Sequence, residues 1–225
     1  MSRVLALVEG QTERTFVQEV LAPGLSALNV HMHPRVIGKP GHKGGVGEFA
    51  RARVEIIALL KQEPHAYCTT MFDYYGMPES WPGISSAKGR AYTEIPSIIE
   101  TAITDEIVRA MGTSFNRSRF IAHLQMHEFE ALLFSEPTIL ADAVGHPELA
   151  GHFQSVIDGC GACEAIDDGP TTAPPKRIMQ VVPAYEKVLF GSIAAKRIGL
   201  QRMRENCPHF AQWVTRLESL AAGGS

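Results

Sequence analysis

Val4-Leu5-Ala6-Leu7-Val8-Glu9-Gly10-Gln11-Thr12-Glu13 is the stretch whose reading decides the fold. Five apolar residues in a row, without alternation, describe a strand covered on both faces, as in parallel sheets packed between helices. The run stops on a carboxylate, turns at Gly10 and enters helix-compatible residues, with Thr12 read as the N-cap and Glu13 and Arg14 in the first turn. Glu9 is thereby delivered to the carboxyl edge of the sheet, where open α/β sheets bind their ligands. A second run, Tyr67-Cys68-Thr69-Thr70-Met71-Phe72, repeats the design and stops on Asp73, with Gly76 and Pro78 just beyond. A third, from Arg119 to Met126, leads into His127-Glu128-Phe129-Glu130. Acids at three strand ends predict one shared metal site built from Glu9, Asp73 and Glu128, suited to the oxygen-loving Mg²⁺.

Working outward, strands are expected over 3–8, 30–37, 67–72 and 119–126, separated by helical stretches. The helices are expected over 12–21, ending before Pro23-Gly24, then after Gly47 with Phe49, Val54, Ile57 and Leu60 on its buried face, and over 94–111. The fold class is therefore α/β: a Rossmann-like parallel sheet flanked by helices, with a helical C-terminal extension. The chain divides into an α/β domain over 1–157, an acidic turn-rich linker or excursion over 158–175, and a basic helical region over 176–225. Pro183 should interrupt the first helix of that last region. Residues 74–92, rich in Gly, Pro, Ser and Tyr, form a loop long enough to be functional or mobile.

Bulk properties narrow the classes. The 225 residues are 45% hydrophobic and 20% charged, ordinary for a globular protein large enough to bury a core without staples. A net charge of −3 gives no broad attraction to nucleic acid, so any such binding rests on a local patch. No apolar run approaches the ~18 residues of a membrane span, and no signal peptide is read at the N-terminus. Cys68, Cys160, Cys163 and Cys207 look like reduced thiols, which fits a cytoplasmic protein.

Several further features can carry chemistry. Gly38-Lys39-Pro40-Gly41-His42-Lys43-Gly44-Gly45-Val46-Gly47 can present backbone N–H groups and lysines to a phosphate, with Lys43, Gly44 and Gly45 as the contacts; a flexible turn is the plain alternative. It lacks the spacing of a P-loop. His127, directly after a strand and beside an acid, is a candidate general base or substrate ligand, with a structural histidine as the alternative. It shares a face with Glu130 if a helix begins there, the favoured reading, whereas a continuing strand would pair Glu128 with Glu130. Cys160-Gly161-Ala162-Cys163 is a single C-x-x-C, a weak signal for zinc or redox work. Over 176–204, Lys176, Arg177, Lys187, Lys196, Arg197, Arg202 and Arg204 face Glu186 alone. They are either a phosphate track beside the acids or a solvated helix face.

The strings Val8-Glu9-Gly10-Gln11-Thr12-Glu13, Phe72-Asp73-Tyr74-Tyr75-Gly76-Met77-Pro78 and His127-Glu128-Phe129-Glu130-Ala131-Leu132-Leu133-Phe134 resemble the DUF4276 family. So do Pro175-Lys176-Arg177-Ile178 and Cys207-Pro208-His209-Phe210. That family in turn resembles Toprim domains, the metal-binding catalytic modules of topoisomerases, primases and OLD-type nucleases. The resemblance implies a Toprim-like sheet and Mg²⁺- or Mn²⁺-dependent cleavage of DNA or RNA. Glu9 matches the Toprim glutamate and Asp73 its first aspartate; joined to the residue reading above, Glu9, Asp73 and His127 would be catalytic, and Glu9, Asp73 and Glu128 would hold the metal. It also implies an ABC-type ATPase partner encoded nearby and a setting of prokaryotic anti-phage defence. The Toprim pattern places a second acid two residues after the first aspartate; this chain has Tyr75 there, with Glu128 or Glu79 as substitutes. Two alternatives follow: a non-catalytic Toprim-derived partner that binds ATPase or nucleic acid, and a small-nucleotide phosphohydrolase.

Overall fold

The computed structural model describes residues 1–38, 46–166, 169 and 171–223. Four parallel strands, β1 (Ser2–Val8), β2 (Val30–Val36), β3 (Tyr67–Asp73) and β4 (Phe120–Ile121), lie in the order β2-β1-β3-β4, and a short β5 (Leu124–Gln125) also pairs with β3. β1 therefore has a partner on each side, and Val4 through Val8 are buried. Each such burial contributes roughly 1.5–3 kcal/mol for a Val- or Leu-sized side chain. Val4, Ala6 and Val8 pack into one hydrophobic cluster and Leu7 into another, so the strand's period of two feeds cores on both sides of the sheet.

The chain leaves β1 for β2 on one side and later returns to place β3 on the other. The first crossover, α1 (Gln11–Phe16) to α2 (Ala22–Ser26), lies on the Val4 face. The second, α3 (Phe49–Gln62), lies on the Leu7 face. Strands β1 and β3 thus diverge at a topological switch point, where a crevice opens at the carboxyl edge. The Leu7 face is completed by α4 (Ile84–Ala87) and α5 (Ile95–Met111). The opposite face holds α6 (Pro137–Ala143), α7 (Ala150–Cys160), α8 (Pro174–Val181), α9 (Ser192–Asn206) and α10 (Pro208–Glu218). Phe210, Trp213 and Leu217 of α10 join the same cluster as Val4 of β1. Among the described residues no helix is long and apolar enough to cross a membrane.

Local details depart from the sequence reading in four places. The first helix is capped at Gly10 rather than Thr12, and it does not stop before Pro23. A wide turn over Val17–Leu21, closed by the Ala22 N–H donating to the Val17 carbonyl, leads straight into α2. Pro23 then sits in the first turn of the renewed α-helix, where no N–H is needed. The buried face of α3 is Phe49, Ala52, Ile56 and Leu60, whereas Val54 is 64% exposed. The expected strand over 119–126 is broken in the middle. There the Thr70 hydroxyl donates to the His123 carbonyl and accepts from the His123 N–H, both at 2.9 Å. A side chain replaces the ladder, and pairing resumes in register with Phe72 opposite Leu124.

The turn-rich stretch after α7 contributes a buried acid. Glu164 accepts the N–H groups of His209 and Phe210 at 2.9 Å each, capping α10 from a distant segment. Glu164→Ala removes both acceptors, and the expected loss is about 1–3 kcal/mol, read as a lower urea midpoint with unchanged slope. An unchanged midpoint would show that water caps this helix equally well.

Candidate active site

The crevice between β1 and β3 gathers acids from three parts of the chain. Glu9 follows β1 directly; Asp73 ends β3 and is buried. The Asp73 N–H donates to Glu9 Oε2 at 3.2 Å, so a carboxylate extends the ladder past the end of the strand. Glu13, one helical turn after Glu9, is buried on the inner side of α1. A Cβ at position 10 would meet Glu13 Oε2 at 3.0 Å, so glycine there lets this carboxylate lie against the turn.

The third contribution comes after β5. Tyr74 and Tyr75 donate their N–H groups to the carbonyls of Gln125 and His127 at 2.9 and 2.7 Å, which ties this segment to the end of β3. His127 is buried with φ of 59°, a left-handed conformation uncommon for a residue with a Cβ. Glu128 is extended, and a tight 3₁₀ turn begins at Phe129. Neither the helix nor the continuing strand foreseen from the sequence forms at His127; a left-handed kink takes their place. The result puts Glu130, fully buried, beside Asp73, while Glu128 lies at the same site, part-buried.

A lysine from the C-terminal region closes the cluster. Lys187 starts a wide turn over Lys187–Gly191. Its Nζ stands 3.0 Å from Glu130 Oε2, 3.6 Å from Asp73 Oδ2 and 3.9 Å from Glu13 Oε1. The Tyr185 ring is buried nearby, and its hydroxyl is pushed up by burial and by Glu130. Sequence reasoning counted Lys187 as one of seven surface cations and missed its role here. The four-residue spacing of Glu9 and Glu13, one turn of helix, was the available signal for Glu13.

The electrostatics follow from burying acids around one ammonium. Burial pushes the Glu9 carboxyl up to about 7, with the Asp73 N–H opposing and the Glu13 charge adding. Burial likewise carries Glu130 to about 7 and raises Asp73 and Glu128, each opposed by Lys187. Burial alone would lower Lys187, but Asp73, Glu130, Glu13 and Glu128 outweigh it and raise it. An acid whose folded pKa lies above its unfolded value binds more protons when folded, so stability falls as pH rises between the two. For Glu9 and Glu130 that window runs from 4.5 to about 7. Lys187 stays charged across it. In EDTA, Tm is expected to drop by several degrees from about pH 5 to about pH 8, and Mg²⁺ should restore most of the loss at the higher pH. A flat profile would show that these carboxyls are ionised throughout.

The donor set suits a hard divalent cation. Asp73 Oδ1, Glu128 Oε2 and Glu130 Oε1 are buried oxygens that accept no hydrogen bond among the described residues. Oxygen donors of this kind are what Mg²⁺ takes, usually one or two carboxylates with water completing the shell.

Other expectations fall away from this crevice. Glu79, the other candidate for the acid missing at Tyr75, is exposed and pairs with Lys88 at 2.6 Å. The basic stretch is largely paired off: Lys196 with Glu19, Arg197 with Asp142, Arg202 with Glu136 and Arg204 with Glu218. Cys163 meets Cys207 rather than Cys160, with the thiol of one hydrogen-bonded to the other. Lys43, Gly44 and Gly45 lie outside the described residues.

The family model described as "Domain of unknown function (DUF4276)" matches residues 8–218. Two solved structures of the C-terminal region of the Xanthomonas campestris pv. campestris OLD protein are similar, one phased with mercury and the other with iodine. Each aligns with 99% of this chain and 97% of its own, at 13% identity and a TM-score of 0.43. No curated protein matches the sequence.

Proposed function

For a chain that belongs to the DUF4276 family, we propose a Toprim-type, Mg²⁺-dependent hydrolase that cleaves phosphodiesters of nucleic acid. The carrying observation is the cluster of Glu13, Asp73 and Glu130 around the Lys187 ammonium, with Glu9 and Glu128 close enough to feel its charge, at the switch point of a parallel sheet. Asp73 and Glu128 would hold the metal, with Glu9 beside them. When bound, Mg²⁺ polarises the phosphoryl oxygen and lowers the pKa of water.

The chain's own residues supply the rest. Glu9, poised at about 7, is suited to accept the proton of the attacking water, since a general base works best near the operating pH. Glu130 and Glu13 hold the Lys187 ammonium at the cluster, where it meets the charge that develops on the phosphate as the leaving oxygen departs. His127, held at the kink, lines the same segment and would position substrate. An ABC-type ATPase encoded nearby, acting in prokaryotic anti-phage defence, belongs to this proposal as the partner that would control access. The chain itself carries no P-loop.

Incubating the full chain with supercoiled plasmid or single-stranded RNA, in Mg²⁺, Mn²⁺ or EDTA, tests the reading. Cleavage that needs metal and is lost in Glu9→Gln supports it. Tyr75 favours a second reading, a nucleic-acid- or ATPase-binding partner that does not cut. An absence of cleavage, together with no Mg²⁺ or Mn²⁺ binding by calorimetry, would select that one.

A further inference from the structure

On the far side of the broken strand lies a second group with ligand chemistry of a different kind. Glu100 comes from α5, His123 from the gap between β4 and β5, and His209 from the first turn of α10. One ligand atom from each lies within 4.8 Å of the others, and among the described residues this is the trio that does so. Glu100 Oε1 is 2.9 Å from His209 Nε2 and 3.6 Å from His123 Nδ1. Those edges bracket the ~3.3 Å between ligands of a tetrahedral ion bound at ~2.0–2.1 Å. We propose that Glu100, His123 and His209 form a site for a first-row divalent transition ion such as Zn²⁺, distinct from the acidic crevice.

Two independent observations point to a ligand. His123 is buried, its side chain 1% exposed, yet among the described residues neither ring nitrogen completes a hydrogen bond, Nδ1 facing Glu100 Oε1 only at 3.6 Å. Buried polar atoms are ordinarily satisfied, and a metal would satisfy this one. The ring is also fixed in place: it stacks on Trp213 at 4.1 Å with a 4° tilt, and the Trp213 indole N–H is held by Thr69 Oγ1 at 2.9 Å. A ring clamped by packing while its nitrogens complete no hydrogen bond among the described residues is oriented for coordination.

The remaining parts match. Glu100 Oε1 accepts the Leu124 N–H at 2.9 Å, the kind of outer contact that orients a ligating carboxylate. The Leu124 carbonyl lies 3.1 Å from His209 Nε2, a further oxygen at the same point. A cavity of about 760 Å³, lined by Glu100, His209, Thr101, Arg117, Gln212 and Arg216, gives the group a path to solvent and room for an exchangeable fourth ligand. Two imidazoles and one carboxylate select borderline transition ions over Mg²⁺, which the crevice acids suit instead.

The test is a titration of the chelator-stripped full chain with Zn²⁺ in a large excess of Mg²⁺, repeated with Co²⁺ to read the ligand field. Wild type should take up one tight equivalent and show the intense visible bands of four-coordinate Co²⁺. Glu100→Gln and His209→Ala should each weaken Zn²⁺ at least 10²-fold; both side chains reach the cavity, so these variants remain informative if His123→Gln misfolds. Asp73→Asn should bind Zn²⁺ as wild type does, which separates this site from the nuclease proposal whatever the cleavage assay gives. No tight equivalent in wild type, or binding untouched by Glu100→Gln and His209→Ala, would overturn the proposal and leave a buried glutamate–histidine ion pair.

Discussion

Asp73→Asn is expected to cut metal-dependent cleavage of nucleic acid by about 10²-fold or more, the scale on which removing a main electrostatic contributor acts. Asparagine keeps the shape and the backbone N–H that reaches Glu9 Oε2, so the end of β3 should stay in place. What is lost is the charge that faces Lys187 at 3.6 Å and that, in the proposed site, would hold a hard cation. The metal-free protein should melt no lower than wild type, because one of several mutually repelling buried carboxyls has gone. Cleavage by the purified variant at the wild-type rate would end the catalytic reading. A large drop in metal-free Tm would show that Asp73 is chiefly structural.

The second large effect is expected from Lys187→Met. Methionine fills the stem's volume but strands Asp73, Glu130 and Glu13 without their counter-charge. Breaking a buried ion pair costs about 3–5 kcal/mol; the partial exposure of this ammonium brings the expectation down to about 2 kcal/mol. The loss should be largest at pH 8 and nearly absent near pH 5, where Glu9 and Glu130 can protonate instead. Cleavage should fall by a similar order to Asp73→Asn. In the double variant with Asp73→Asn the loss should be smaller than in Lys187→Met alone by more than the effect of Asp73→Asn by itself, since the second change removes one of the carboxylates the first strands. Strict additivity in urea midpoints would show that the two groups do not interact.

The parts of this protein legible in its sequence are those set by local pattern. Val4 to Val8 and Tyr67 to Phe72 read as buried strands because their residues are apolar, aromatic or small, and the acids at their ends read as a site because strand direction fixes where they go. Lys187 was hidden because nothing local separates it from Lys196 or Arg197; only the packing of its wide turn against the crevice makes it different. Pro23 read as a stop because a preceding wide turn cannot be seen in composition. The break at His123 depends on the Thr70 hydroxyl, a partner on another strand. Glu100, His123 and His209 come from three distant segments, and no spacing rule joins them.

The scattering of the acidic crevice along the chain has a consequence for biosynthesis. Glu9 and Glu13 leave the ribosome before Asp73, the 128–130 acids follow, and the neutralising Lys187 emerges only after all of them. At ~5–20 residues per second, the nascent protein spends several seconds with its acids made and their cation still unmade. Over that interval the acids lack the ammonium that Lys187 later brings to them. A product truncated before Lys187 would therefore lack the charge that offsets its buried acids, and under the proposed function it would be inert as well as poorly folded.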